Sequence, residues 1–177
     1  MSWQQKFSIP HTKIKKKFFL TTSESQPIME RGKEHMNNKS YCAWCSRMKR
    51  GVMYATARRE GYNVLALAQH LDDLAESFLM SAFHGGQLRT MKANYTIGDG
   101  DLRVIRPLVY ARERQTLDFS REAGLPVIME NCPACFGMPT QRQHMKELLM
   151  NEESHYPNVY KNILHAIHPL MDVKSDK

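Results

Sequence analysis

At 177 residues with 42% apolar side chains, the chain has the length of about one domain and enough apolar content for a core. Its formal charge of +7 points to a polyanionic partner, nucleic acid first, against the plainer alternative of a solvated basic surface. No apolar run approaches the roughly 20 residues that span a bilayer, so the composition argues against a membrane protein and against a membrane partner.

Taken in chain order, the first 40 residues form an arm. Lys6, Lys13, Lys15, Lys16 and Lys17 precede Phe18, Phe19 and Leu20, with no acid among the first 20 positions. An organelle transit peptide is the alternative reading, but such peptides are rich in arginine and serine, and arginine is absent here. The expectation is a basic, poorly structured arm and a cytoplasmic protein. Residues 21–40 are polar and show neither helical nor strand periodicity, which puts the start of the folded part near Tyr41. The organisation expected is an arm over 1–40, a partial α/β domain over 41–139 and a helical segment over 140–177.

From Ser46 to Glu60 the spacing of Met48, Val52 and Ala55 predicts a helix that Gly61 terminates. Arg47, Arg50, Tyr54 and Arg58 recur on another face. Asn63–Gln69 is a short apolar run of the kind buried in a parallel sheet, and it ends at His70. Asp72 is placed to cap the next helix, whose apolar stripe is Leu74, Phe78, Leu79 and Ala82 and whose stop is Gly85 or Gly86. Leu102–Arg106 is a second strand closed by Pro107. Arg112–Ala123 is a polar helix ended by Gly124, and Pro126–Met129 is a third strand. Thr140 caps a helix to about Ser154, and Pro157 opens another that closes before Pro169. Strand, helix, strand, helix, strand predicts an α/β layer of parallel strands with right-handed crossovers, followed by packing helices.

In such sheets ligands gather outside the carboxyl ends of the strands. Three segments with chemical potential fall there: His70 to Glu76, Arg106, and Cys132 to Cys135. Singly each has a structural explanation, Asp72 as a cap, Glu76 as a surface charge, His70 as a hydrogen-bonded ring. Together at one rim they favour a site.

The four cysteines form two Cys-x-x-Cys pairs, Cys42/Cys45 and Cys132/Cys135. A structural zinc clamp, a thioredoxin-like redox pair and iron-sulfur ligands are the ordinary readings. A redox pair needs one motif, not two, and a local zinc ribbon needs pairs roughly 15 to 20 residues apart, far closer than these. A zinc site assembled from distant segments, an iron-sulfur site and unmetallated thiols all stay open on spacing. Lys49 lies four residues after Cys45, so its ammonium group would project beside the thiolates of a helix that begins there.

The segments CAWCSRMKRGVMYATARREGYNVLALAQHLDDLAESFLMSAFHGG, VIRPLVYARE and LPVIMENCPACF occur in this order. From about Tyr41 to Leu170 the chain resembles the PP-loop ATP-pyrophosphatase family of tRNA-thiolating enzymes, nearest the tRNA 2-thiocytidine synthetase branch. The resemblance implies a Rossmann-like sheet of the adenine nucleotide alpha hydrolase type, and a sulfurtransferase that acts on tRNA. ATP with Mg²⁺ would adenylate the oxygen at position 2 of a base, releasing pyrophosphate, and sulfur would then displace AMP. Cytidine near the anticodon is the expected target, with uridine as the competitor.

The resemblance also implies a [4Fe-4S] cluster held by only three cysteines, which leaves one iron open to sulfur. Cys42 and Cys45 match the paired ligands, and Cys132, in its Asn-Cys-Pro context, matches the third. Cys135 is then an alternative third ligand, a persulfide carrier or a small buried residue. Lys49 and Asp73 match positions assigned to catalysis in the thiouridine branch, and His70, Asp72 and Arg106 at the rim are candidates for holding the nucleotide. The sulfur donor is unspecified, and a homodimer is a candidate assembly.

Family members begin with a Ser-Gly-Gly-x-Asp-Ser loop whose N–H groups cradle pyrophosphate, and this chain contains no such motif. ATP turnover is therefore not expected of this polypeptide alone. A truncated gene product, a partner chain carrying the loop, and a remnant kept for binding are the accounts that fit. The rival from another class is a noncatalytic, zinc-stabilised nucleic-acid-binding module built on the same cysteines.

Overall fold

A computed structural model describes residues 41–98, 100–125 and 140–171, with only the backbone of 41–43. In chain order the elements are α1 (Tyr41–Arg59), β1 (Val64–Ala66), α2 (Leu71–Gly85), β2 (Asn94–Ile97), β3 (Leu102–Ile105), α3 (Glu113–Glu122), α4 (Gln141–His155) and α5 (Val159–Met171). The strands form one sheet in the order β1-β3-β2. The strand expected over 126–129 lies outside the described residues. No helix among the described residues is long and apolar enough to cross a membrane.

The chain divides into two compact units, one running up to Leu65 and including Ile97–Arg103, the other Ala66–Thr96 with Val104 onward. In the first, α1 begins at Tyr41 and not at Ser46, so both Cys42 and Cys45 lie inside a helix. It closes where Tyr62 N–H donates to Ala57 O at 2.8 Å, with Gly61 at φ 72°, a left-handed position that suits glycine. Arg58 then reaches Asp101 with two hydrogen bonds of 2.5 and 3.0 Å, holding the turn between β2 and β3. Gly98 in that turn has φ 61°, and an added Cβ would sit 3.1 Å from the Arg58 guanidinium, so the tether requires glycine there.

β1 and β3 run parallel: Arg103 N–H donates to Asn63 O and, further along both strands, Leu67 N–H donates to Ile105 O, each at 2.9 Å. Leu102 and Val104 alternate inward with no exposure. β2 joins as an antiparallel edge strand, its hairpin extended by Arg106 N–H to Ala93 O at 2.8 Å. The periodicity of the sequence did not single this strand out.

In the second unit Leu71, Leu74 and Ala75 of α2, Val109, Leu149 of α4, and Tyr160, Ile167 and Met171 of α5 form one buried cluster. Phe78, Leu79, Ile163 and Leu164 pack against it, as the apolar spacing predicts. Each large apolar side chain buried in this way contributes about 1.5–3 kcal/mol. Thr140 caps α4 as expected, its hydroxyl accepting from Gln143 N–H at 3.1 Å. α5 departs from expectation and continues through Pro169 to Met171. Met171 is 1% exposed and its carbonyl accepts from Ala93 N–H at 2.8 Å. Burial and that bond hold the last turn, outweighing the donor that proline lacks.

Candidate functional site

The charged residues of the second unit converge on the N-terminus of α2. His70, not Asp72, is the cap: its Nδ1 accepts from Asp73 N–H at 3.4 Å while Asp73 Oδ2 accepts from His70 N–H at 3.1 Å. With the first turn satisfied by His70, Asp72 is released to serve another helix. It accepts Glu113 N–H at 2.7 Å, placing a carboxylate at the N-terminus of α3, where the helix dipole favours it.

Arg112 is the centre of the arrangement. Its Nε and Nη2 donate to Asp72 at 3.2 Å, and Nη1 and Nη2 donate to Glu153 at 2.6 and 3.0 Å. The guanidinium also stacks 3.3 Å from the centroid of Tyr160. One side chain thus ties α2, α3, α4 and α5 together. Burial pushes the Asp72 carboxyl up, but the bonds from Arg112 and Glu113 N–H and the nearby charges of Arg112 and His70 outweigh it and hold it below the usual range. The bonds from Arg112 hold Glu153 low as well, against the opposing effect of its burial. Burial would lower Arg112, yet its bonds to Glu153 and Asp72 raise it further above its ordinary value. The Tyr160 hydroxyl is pushed up to about 12, chiefly by burial.

Beside this network lies a looser one. Arg142 Nη1 donates to Asp73 Oδ1 at 2.9 Å and stands 3.5 Å from Glu76 Oε2. Glu76 is 4% exposed, so it is no surface charge. Burial raises its pKa to about 7, with Arg142 opposing and Asp73 reinforcing the shift. Lys146 donates to Glu113 at 2.6 Å at the edge of the group. Both sequence-predicted aspartates have both oxygens engaged, Asp72 by Arg112 and Glu113 N–H, Asp73 by His70 N–H and by an arginine that is itself 43% exposed. Asp73, at 21% exposure against 8% for Asp72, is the more accessible of the two.

Arg106 turns toward the protein. Its Nε donates to Gln69 Oε1 at 3.0 Å, Nη1 donates to Lys92 O, and the guanidinium lies 5.5 Å from the Tyr95 centroid. It braces the end of β3 against the segment leading into β2. In the first unit Cys42 and Cys45 occupy positions i and i+3 of α1, on one helix face, and Cys45 is 8% exposed. Lys49 follows one turn later, partly exposed. Cys132 and Cys135 lie outside the described residues. Among the described residues no three His, Cys, Asp or Glu side chains cluster to hold a metal ion.

Sequence reasoning missed Arg112, Arg142, Glu153 and Tyr160. Their partners are as far as 69 positions away along the chain, and no local pattern carries such a signal.

A parallel strand pair with a helix N-terminus and its carboxylates just past the strand end is the arrangement at which α/β sheets place their ligand sites. Residues 29–134 match the PP-loop domain family, and the chain belongs to that family. It is 43% identical over 128 residues to a tRNA-cytidine(32) 2-sulfurtransferase of Geobacter sulfurreducens, a match covering 72% of this chain and 50% of that protein. With the protein of the same name from Pelobacter propionicus it shares 40% over 152 residues, covering 84% and 55%. The chain therefore spans about half the length of the curated relatives it matches. Among solved structures, the U34-tRNA thiolase NcsA from Methanococcus maripaludis, determined with its [4Fe-4S] cluster, superposes with a TM-score of 0.61 at 20% identity. That match covers 73% of this chain and 43% of the thiolase, and it supports the fold.

Proposed function

We propose that this chain takes part in ATP-dependent 2-thiolation of a tRNA base, cytidine first. The observation that carries this reading is the 43% identity to a tRNA-cytidine(32) 2-sulfurtransferase across 72% of the chain. In the reaction the base oxygen at position 2 attacks the α-phosphorus of ATP and pyrophosphate leaves. A hydrosulfide sulfur then bonds to carbon 2, loses its proton to a base, and AMP departs with the former base oxygen. Lys49 is assigned to the charge developing on that oxygen, and Asp73 to Mg²⁺ or to the proton, since Asp72 is engaged by Arg112. For Asp73 to act, Arg142 must swing away, which an arginine nearly half exposed can do.

Cys42, Cys45 and Cys132 would hold a [4Fe-4S] cluster, with Cys135 as the alternative third ligand. The spacing of the first two supports this: they are three residues apart in α1, and Cys45 is buried. Such a cluster supplies an iron with an open position from which sulfur is delivered. Substrate tRNA, a hydrosulfide-yielding donor and ATP are the partners this requires.

Two measurements test the reading. Nucleoside analysis of tRNA from cells that lack their own 2-thiocytidine enzyme, expressing this chain with a separately supplied Ser-Gly-Gly-x-Asp-Ser half, should show 2-thiocytidine. It should disappear with Asp73→Asn. After anaerobic purification, iron and sulfide should be found, and Cys42→Ser or Cys45→Ser should remove them. Stoichiometric zinc without iron would assign the chain to a noncatalytic binding module instead.

A further inference from the structure

Helix α5 buries Tyr160, Ile167 and Met171 and turns Lys161, His165 and His168 outward, at steps of four and three along one face. α5 carries no Asp or Glu anywhere in its thirteen residues. Val109, 3% exposed, is anchored in the same core as Tyr160 and Ile167, which places the next residue, Tyr110, beside the helix at 37% exposure. Between them runs a groove of about 620 Å³ lined by Tyr110, Lys161, Asn162, Leu164, His165 and His168. Its size is that of an ordinary small-ligand site.

The lining has a definite chemistry. Lys161 is a cation with three donors, the two imidazoles and the Asn162 amide add further donors, and among the described residues no carboxylate lines the groove to oppose an anion. Tyr110 contributes an aromatic ring and Leu164 an apolar floor. A cation with neutral donors, next to an aromatic face, is the combination that holds a phosphodiester while an unstacked base lies on the ring. An acidic peptide would use the cations but not the ring.

We infer that this groove binds an unpaired stretch of RNA, with Lys161 at a phosphate and Tyr110 under a base. The identity of the RNA as tRNA rests on the thiolation reading; the surface itself does not. Its lining shares no residue with the ionic network around Arg112, so binding and chemistry can be tested by different substitutions.

The test is fluorescence anisotropy of the full chain with unmodified tRNA and with a single-stranded oligoribonucleotide, across a salt series. Lys161→Ala should weaken binding about 3- to 10-fold and flatten the log–log salt slope by about 0.7, the value of one single-strand phosphate contact. Tyr110→Ala should weaken it roughly 5- to 100-fold, and Tyr110→Phe should restore it, since stacking needs the ring and not the hydroxyl. If Tyr110→Ala loses helix content, the exposed Lys161 decides the matter. Unchanged affinity and slope in Lys161→Ala overturn the proposal, as does displacement of the RNA by ATP alone, which would make the groove a mononucleotide site. Reduced RNA binding in these variants, with no 2-thiocytidine formed by any version of the protein, would sink the thiolation reading and leave the groove standing.

Discussion

The second unit carries two charged regions that differ in how their signs are matched. Around the start of α2, the carboxylates Asp72, Asp73, Glu76, Glu113 and Glu153 each face an arginine or lysine of another element. Along the outer face of α5, Lys161, His165 and His168 line a groove with no carboxylate among the described residues. Where matched charges are also withdrawn from solvent, as Arg112, Asp72 and Glu153 are, they fix the fold, because removing one partner strands the other in a poor solvent. An exposed cation with no carboxylate beside it leaves its field for something outside. The same residue types thus serve opposite ends, and burial with sign-matching tells them apart.

The sharpest way to break this comparison is to remove Arg112. Arg112→Ala leaves Asp72 and Glu153 without their main partner and takes away the stack on Tyr160, so a loss of about 3–5 kcal/mol is expected in urea unfolding. Arg112→Lys should recover only part, because an ammonium group cannot donate to both carboxylates in the planar fork an arginine offers. A loss below about 1 kcal/mol would show that the network is peripheral and that burial is a poor guide here.

A smaller effect is expected at Glu76, where matching is incomplete: the cation that pairs with it, Arg142, is shared with Asp73. The folded pKa, about 7, lies above the ordinary 4.5, so the folded state holds this proton more tightly than the unfolded chain. The contribution is fully present below pH 4.5, fades as pH rises to about 7, and is absent above it. Asp72 has the opposite sign, its stabilisation being present above its ordinary 3.8 and lost as pH falls through its lowered value. Glu76→Gln should therefore abolish a decline of at most about 3 kcal/mol between pH 4.5 and 7, measured by thermal unfolding across that window. A variant whose stability still falls across that window would place the titration elsewhere.

How much of this was legible in the sequence follows from the range of each interaction. Leu74, Phe78 and Leu79 announced α2, and Thr140 announced α4, because helical spacing and caps are local patterns. The start of α1 was read late: Tyr41-Cys-Ala-Trp shows no apolar period, so the helix appeared to begin at Ser46, although Ser40 is a cap-type residue directly before Tyr41. Asp72 looked like the cap of its own helix because nothing local reveals that Arg112 and Glu113, 40 and 41 positions on, claim it. Arg106 looked like a rim cation for the same reason, its Gln69 partner lying 37 positions back. Position at a strand end was readable; which of the groups there are occupied by long-range partners was not.

The first unit supplies the control for burial itself. Arg58 and Asp101 form a two-bond pair with the same chemistry as Arg112 and Asp72, but both side chains are nearly half exposed, 44% and 46%. Hydrogen bonds from Arg58 hold the Asp101 carboxyl below its ordinary value, against a small opposing effect of desolvation. Water solvates either partner when the other is gone, so little of that attraction appears as stability. Arg58→Ala should leave the unfolding midpoint within error of the wild type, and raising the salt concentration should change neither protein's midpoint differently from the other's. A loss comparable with that of Arg112→Ala would mean that geometry, not withdrawal from solvent, sets the strength of these pairs, and the distinction between the two charged regions of the second unit would lose its basis.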